Sequence, residues 1–239
     1  MSNDKVVSVI LPTFNEKGNI IPLIKQISQE LDASGYKKEI IVVDDNSPDG
    51  TGNAVIESCG TDRGVRVIIR KTERGFATAI RHGIENSTGQ IIIVMDTDFN
   101  HDPKMIPQMV KFLDHYDIIS GSRFSIGGAM EPAYRYLGSY FYNFFIRLVL
   151  RTQTQDNLCG YFSIRRDKLF ALPFDQIYYG YGDYFFRMLC FAQRKKYRIL
   201  EVPVIYLDRQ YGESKTALTS VFGKYTKAVI MFRLKKGGP

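Results

Sequence analysis

The sequence predicts an α/β fold built on a doubly wound, mostly parallel sheet flanked by helices. Short runs of β-branched and other apolar residues recur through the first 120 positions, and segments with helical apolar spacing separate them. The run 91–95 is apolar at every position, as expected of a parallel strand that is covered on both faces. Strands that alternate with helices in this way form parallel sheets.

Each element has its own local signal. We expect strands at 6–11, 40–43, 65–69, 91–95 and 118–119, and helices at about 19–31, 76–87 and 103–115. The first helix is the clearest, because apolar residues recur there at helical spacing, namely Ile20, Leu23, Ile24, Ile27 and Leu31. The sequence therefore predicts five strands joined by helical crossovers.

Composition and charge narrow the class of protein. The three cysteines, Cys59, Cys159 and Cys190, are odd in number and widely spaced, which fits a reducing compartment and argues against a disulfide framework. The three histidines share no ligand spacing, which argues against zinc, and no signal sequence opens the chain, so we expect a cytoplasmic protein. The net charge is +7, and positions 184–239 alone hold twelve Lys or Arg against three acids. Such asymmetry indicates an anionic partner: nucleic acid, a lipid surface or a phosphorylated ligand.

Acidic residues follow several predicted strands at the point where each strand ends. Asp96 and Asp98 follow the fourth strand, Asp45 the second, and Glu16 the first. The carboxyl ends of parallel strands share one edge, so these side chains should converge there. Two carboxylates, with Asn100 as a third oxygen donor, suit Mg²⁺ or Mn²⁺ whose other ligands are substrate phosphates. The alternative is a plain turn that caps the next helix.

The sequence lacks the motifs of other nucleotide-binding classes. LPTFNE stands where a glycine-rich dinucleotide fingerprint would follow the first strand, and there is no P-loop sequence. The nucleotide ligand that still fits the sequence is a nucleoside diphosphate bound through a metal. The basic C-terminal half carries no nucleic-acid recognition motif, so we expect no nucleic-acid partner.

Six motifs together carry a family resemblance over about residues 6–215. They are LPTFNE, VVDDNSPDGT, MDTDFNHDP, GSR, DNLCGYFSIRR and DRQYGESK. The chain resembles the family 2 inverting nucleotide-sugar glycosyltransferases, which have the GT-A (Rossmann-like) fold, and within them the polyprenyl-phosphate (dolichol-phosphate) mannose synthase-like branch. This resemblance implies a GT-A domain at 1–216, with an interface helix inserted at 132–151, and a basic amphipathic C-terminal helix at 217–239.

The resemblance also implies roles for individual residues. The nucleotide-binding positions are Pro12, Phe14, Glu16, Asp45 and Asp96, and the metal positions are Asp96, Asp98 and Asn100, where Asn100 can bind directly or through a water. The phosphate and acceptor positions are Arg123, Arg135, Ser139, Arg209 and Lys215. The implied catalytic residues are Asp98, Asp183 and Arg209, and the alternative for Asp183 is that it caps the helix that follows it. The loop at about 206–216 is expected to close over donor and acceptor.

The predicted reaction is inverting transfer of a hexose, mannose first, from GDP-mannose or a UDP-hexose to a dolichyl or undecaprenyl phosphate. Transfer to a glycan or lipid hydroxyl, which needs a base such as Asp183 or Asp156, stays open at this point, as does nucleotidyl transfer.

Two segments are expected to contact a membrane. The aromatic helix 132–151 has an uncharged run of only eleven residues, so we expect it to lie at the cytoplasmic membrane surface. The alternative is packing on the sheet, a second copy or a membrane partner subunit. An apolar stripe ending in Tyr225, Val229 and Phe232 is also expected to rest on anionic lipid.

Overall fold

A central sheet organises the protein. The structure, a computed structural model, describes residues 5–206 and 218–236, with side chains for 5–206 and 223–235. Its strands are, in chain order, β1 (Val6–Thr13), β2 (Lys37–Asp44), β3 (Val65–Ile69), β4 (Ile91–Val94), β5 (Ile118–Ser122), β6 (Ala129–Met130), β7 (Phe162–Arg165), β8 (Ile199–Pro203) and β9 (Ile205–Tyr206). Seven of them form one sheet in the order β3-β2-β1-β4-β7-β5-β8, and β6 pairs with β9 separately.

Helices connect these strands and flank the sheet. They are α1 (Lys17–Ala33), α2 (Thr51–Cys59), α3 (Phe76–Glu85), α4 (Ile106–Phe112), α5 (Ala133–Leu150), α6 (Arg166–Phe170), α7 (Phe174–Ile177), α8 (Tyr184–Arg194) and α9 (Leu218–Lys236). The five apolar residues that predicted α1 are all buried against the domain core. The α/β class and the mostly parallel sheet are therefore confirmed.

The sheet departs from the sequence prediction in its number of strands and in one direction. The prediction of five strands is wrong, because β7 and β8 join the same sheet. Strand β7 runs antiparallel to both β4 and β5. It gives no clear strand signal in the sequence, since the buried Ser163 interrupts its apolar residues and Arg165 ends it.

The reversed strand determines which residues reach the functional edge. Because β7 runs opposite to its neighbours, its first residue lies beside their carboxyl ends: Phe162 pairs with Val94 and with Ser120. The segment just before β7, Cys159 to Tyr161, therefore lies at the same edge as the end of β4. Strand β8 is parallel to β5, so Tyr206, shortly after β8, reaches this edge as well.

Helix α5 has one buried face and one exposed apolar face. Its buried residues are Tyr142, Asn143, Ile146 and Leu150. The exposed apolar stripe of α5, as we call it, comprises Tyr134, Leu137, Phe141, Phe144 and Leu148. The spacing of three and four residues puts all five on one side of the helix. Within the described ranges, no helix is both long and apolar enough to cross a bilayer.

The described part of α9 corrects one expectation. Val229 and Phe232 were expected to rest on lipid, but both are buried, and the Phe232 ring packs 5.7 Å from Phe191. The Tyr142 hydroxyl also lies 3.3 Å from Thr226 Oγ1, which ties α9 to α5. Val229 and Phe232 therefore face the domain, where Phe232 completes the core beside α8.

Candidate active site

The candidate site lies at the carboxyl edge of the sheet. Strands β2, β1 and β4 are adjacent and parallel, with Thr13 paired to Asp44 and Ile10 paired to Val94. The segments that carry Glu16, Asp45 and Asp96 consequently leave the sheet side by side. This convergence of three strand ends is the one predicted from the sequence.

The turn after β4 carries the predicted metal ligands. The backbone N–H of Asn100 donates to Asp98 Oδ1 at 3.2 Å, and its side-chain amide donates to Asp98 Oδ2 at 3.0 Å. The Asp96 side chain keeps 36 % of its surface exposed, and Phe99 adopts a left-handed backbone conformation with φ 63°. The roles of Asp96, Asp98 and Asn100 as metal ligands stay predictions.

This donor set fits a hard divalent cation. Among residues 5–206 and 223–235, no three His, Cys, Asp or Glu side chains converge to form an all-protein metal site. Mg²⁺ and Mn²⁺ sites that also bind phosphates commonly use one or two carboxylates from the protein and take other ligands from substrate and water. Asp96 and Asp98 supply two such carboxylates on one turn.

His101 is a site residue that the sequence did not reveal. Its ring is completely buried directly behind the turn, where Nδ1 accepts the backbone N–H of Asp96 at 2.8 Å. Nε2 lies 2.6 Å from the Tyr206 hydroxyl. Burial lowers the pKa of His101 to about 4, so the ring is neutral at physiological pH. The only sequence signal was the position of His101 directly after the acidic turn.

The predicted nucleoside side combines an exposed ring with a fixed carboxylate. Phe14 is 37 % exposed, and the Arg74 guanidinium lies 5.9 Å from its ring centroid. Asp45 accepts Arg70 Nε at 2.7 Å and the backbone N–H of Gly75 at 2.8 Å. Gly75 has φ 148°, a conformation that favours glycine. Arg70, which the sequence analysis did not single out, thus holds Asp45 in place.

Two further predicted nucleotide-binding residues have structural surroundings of their own. Pro12 is buried within β1, in register with Val43 of β2. Glu16 is half-buried, and its carboxylate accepts the Asn19 side-chain amide at 2.8 Å. Their contacts with a nucleotide stay predictions.

Arg123 is held by an ion pair inside the protein. Its Nε and Nη2 donate to the two oxygens of Asp156 at 2.7 and 2.8 Å, and both side chains are buried. The guanidinium also lies 4.9 Å from the Tyr206 ring centroid. Two of its three nitrogen atoms therefore donate to Asp156, and Nη1 lies 3.8 Å from Met130 Sδ. The phosphate contact of Arg123 stays a prediction.

Helix α5, which carries the predicted acceptor residues, packs against the residue that follows Arg123. Arg135 and Ser139 occupy the first half of the helix, one turn apart. The ring of Phe124, next to Arg123, packs edge-on against Tyr136 and Tyr140 of the same helix. The roles of Arg135 and Ser139 in binding an acceptor stay predictions. Arg209 and Lys215, and the loop expected to close over the site, lie outside the described residues.

Asp183 lies directly before α8 but does not cap it. Its carboxylate accepts the backbone N–H of Tyr181 at 2.7 Å and forms an ion pair with Arg187, one turn into the helix. No helix N–H donates to the Asp183 side chain, so the capping alternative is wrong. The same contacts occupy the carboxylate that was expected to act as a base.

Known proteins resemble this chain in sequence and in fold. It is 33 % identical over 235 residues to "Dolichol-phosphate mannosyltransferase" of Pyrococcus furiosus. The matched region covers 96 % of this chain and 64 % of that protein. It is 32 % identical to "Undecaprenyl-phosphate mannosyltransferase" of Micrococcus luteus, over 87 % of this chain and 86 % of that one. The chain thus spans slightly less than two thirds of the Pyrococcus protein.

The fold and the sequence profile agree with these relatives. The structure superimposes with a TM-score of 0.73 on a crystal structure of glucosyl-3-phosphoglycerate synthase from Mycobacterium tuberculosis, solved with Mn²⁺, UDP and glucosyl-3-phosphoglycerate. That match covers 98 % of this chain and 81 % of the other at 20 % identity, and it supports the GT-A fold. Residues 8–171 match the profile of Glycosyl transferase family 2. With more than half of its length inside that profile, the chain belongs to glycosyl transferase family 2.

Proposed function

We propose that this protein transfers a hexose, mannose first, from a nucleoside diphosphate sugar to a polyprenyl phosphate, with inversion at the anomeric carbon. The observation that carries the proposal is the Asp96–Asp98 turn at the edge where three strand ends converge. Two relatives at 33 and 32 % identity, both named as lipid-phosphate mannosyltransferases, favour this donor and acceptor chemistry. GDP-mannose is therefore the first donor to test, ahead of UDP-hexoses.

Asp96 and Asp98 would hold the divalent cation, with Asn100 beside them. When bound, Mg²⁺ or Mn²⁺ supplies positive charge that stabilises a departing nucleoside diphosphate. Asp45, oriented by Arg70, would accept hydrogen bonds from the nucleoside, and the exposed Phe14 ring would pack against it.

The contacts of the two candidate bases favour a phosphate acceptor. A hydroxyl acceptor needs a carboxylate to remove its proton, but Asp183 is paired with Arg187 and Asp156 with Arg123. A phosphate monoester has a second pKa near 6, so its attacking oxygen is already largely deprotonated at neutral pH. Arg135 and Ser139, with Arg209 and Lys215, would then orient the acceptor phosphate.

The reaction can be tested with one labelled donor and two acceptors. With GDP-[¹⁴C]mannose and Mn²⁺, we expect label to move to undecaprenyl phosphate but not to undecaprenol, with release of GDP. Asp98→Ala should abolish transfer while the circular dichroism spectrum stays unchanged, and Asp114→Ala, which removes an exposed acid paired with Lys5, is the matched control. Transfer to the alcohol would support the hydroxyl alternative, and release of mannose 1-phosphate in place of GDP would indicate a nucleotidyltransferase. Full activity of Asp98→Ala would exclude its metal role.

We further propose that the exposed apolar stripe of α5 contacts the membrane surface that holds such an acceptor. Helix α9 also exposes the apolar residues Ile230, Met231 and Leu234, with the exposed Lys224, Lys227 and Lys235 near them in sequence. Apolar side chains beside lysines suit the interface of a bilayer that contains anionic lipids.

Vesicle binding tests this contact. We expect the protein to sediment with vesicles that contain phosphatidylglycerol and to bind neutral vesicles less. Phe141→Glu should weaken binding, whereas Ile56→Glu, at an exposed apolar position on α2, should not. A concentration-dependent dimer that Phe141→Glu disrupts, without any vesicle binding, would instead assign the stripe to a second copy of the chain.

A further inference from the structure

We propose that His101 and Tyr206 are positioning residues, which hold the Asp96–Asp98 turn in the shape that binds a divalent cation. The inference rests on the proposed metal role of that turn and adds two residues that supply no ligand themselves. Both are on the protein side of the turn, and the His101 side chain is completely buried. His101 therefore acts through the backbone of the turn instead of touching substrate.

The hydrogen bonds determine the tautomer of His101. The backbone N–H of Asp96 can only donate, so His101 Nδ1 accepts and the ring proton of the neutral form resides on Nε2. Nε2 then donates to the Tyr206 hydroxyl oxygen at 2.6 Å. The Tyr206 hydroxyl in turn donates to the carbonyl oxygen of Cys159 at 3.0 Å. A directed chain thus runs from the first residue of the metal turn to the segment that precedes β7.

A second contact holds the far end of the same turn. The Tyr161 ring stacks on the His101 ring, with centroids 4.8 Å apart and planes inclined by 13°. The Tyr161 hydroxyl donates to the carbonyl oxygen of Asp102 at 3.0 Å. The His101 ring therefore holds the turn at Asp96, and the Tyr161 ring holds it at Asp102. These two contacts limit how far the Asp98 carboxylate, which lies between them in sequence, can shift.

Tyr206 is itself held from the acceptor side. Its ring centroid lies 4.9 Å from the Arg123 guanidinium, which donates two hydrogen bonds to the Asp156 carboxylate. The Tyr206 hydroxyl has two partners, His101 and Cys159, and its ring has a third in Arg123. Since removal of partners that orient metal ligands typically costs about 10- to 100-fold in metal affinity, the same range is expected here.

The test uses variants that remove one link at a time. Tyr206→Phe removes only the hydroxyl, His101→Asn keeps an acceptor for the Asp96 N–H, and His101→Phe removes both links while it keeps an aromatic ring. Tyr197→Phe is the matched control, because its hydroxyl also donates to a backbone carbonyl, that of Lys168, at 3.1 Å. Tyr197 precedes β8 and therefore lies at the opposite edge of the sheet.

Two readouts are measured on each variant. The first is the dissociation constant for Mn²⁺ in the presence of GDP or UDP, from electron paramagnetic resonance titration. The second is amide hydrogen exchange in peptides that cover residues 95–102 of the metal-free protein. We expect Mn²⁺ affinity to fall about 10-fold in Tyr206→Phe and in His101→Asn, and up to about 100-fold in His101→Phe. Exchange in the turn should accelerate in the same order.

The outcomes separate this inference from the proposed function. If wild type binds Mn²⁺, Asp98→Ala does not, and the three variants match wild type in both readouts, the positioning role is refuted while the metal role stands. An equal loss of affinity in Tyr197→Phe would also refute it, because the effect would then be general destabilisation. Failure of wild type to bind Mn²⁺ would overturn the metal role and the inference together.

Discussion

Asp156→Asn should destabilise the protein strongly, because Asp156 neutralises a buried guanidinium. Arg123 donates to it from Nε, from Nη2 and from its own backbone N–H, at 2.7, 2.8 and 3.1 Å. Neither side chain is appreciably exposed to solvent. Asparagine has nearly the same volume, so the substitution removes the charge and one acceptor oxygen without creating a cavity.

The expected magnitude follows from this burial. Removing one partner of a buried ion pair costs about 3–5 kcal/mol, because the other charge is left uncompensated. Asparagine retains one oxygen that can accept a bond from Arg123, so we expect about 3 kcal/mol, the lower end of that range. A typical domain has an unfolding free energy of about 5–15 kcal/mol, so the loss should be large and measurable.

Urea unfolding followed by far-ultraviolet circular dichroism provides the assay. The matched control is Asp114→Asn, whose carboxylate pairs with Lys5 at 3.1 Å while 61 % of its side-chain surface is exposed. An exposed pair of this kind contributes up to about 1 kcal/mol. The double variant Arg123→Met with Asp156→Asn removes both charges, keeps an acceptor oxygen for the Arg123 backbone N–H and should recover much of the loss.

A loss of less than about 1 kcal/mol in Asp156→Asn, or one equal to the loss in Asp114→Asn, would refute this reasoning. It would mean that water or another anion compensates Arg123.

Two further predictions concern ionisation. Burial opposes the charge of Glu39, but hydrogen bonds from Ser8, Thr88 and Arg66 outweigh burial and lower the Glu39 pKa below the usual 4.5. The carboxylate thus stabilises the fold fully above pH 4.5 and loses its effect as the pH falls through the lowered pKa. Glu39→Gln should therefore weaken stability at pH 7, and urea unfolding should show this loss shrinking as the pH falls below 4.5. Burial raises the pKa of Cys159 and Cys190 to about 12, so these two thiols should not react in the native protein at pH 8. Dithionitrobenzoate should therefore label Cys59 at most before unfolding and all three thiols afterwards. Rapid labelling of two or more native thiols would contradict this.

Local patterns were sufficient for much of the fold and for part of the site. The helical spacing of Ile20 and Leu31 predicts the buried face of α1, and the run that becomes β4 predicts a fully buried strand, because both signals depend only on neighbours in sequence. The placement of Asp45 and the Asp96–Asp98 turn at one edge of the sheet also follows from sequence, since parallel strands must share a carboxyl edge.

Other features depend on contacts between residues far apart in the chain. His101 resembles any surface histidine until β7 and β9 bring Cys159, Tyr161 and Tyr206 around it. A single cationic residue such as Arg123 does not reveal that Asp156, 33 positions later, will neutralise it inside the core.

Sequence by itself therefore determined the α/β class of the fold, the buried face of α1 and the edge where the acids gather. Those features follow from periodicity and chain direction. Only the tertiary structure decided that β7 is reversed, that Val229 and Phe232 of α9 face inward, and which charges are paired. Burial and electrostatic pairing depend on which distant groups exclude water together, and no local pattern encodes that.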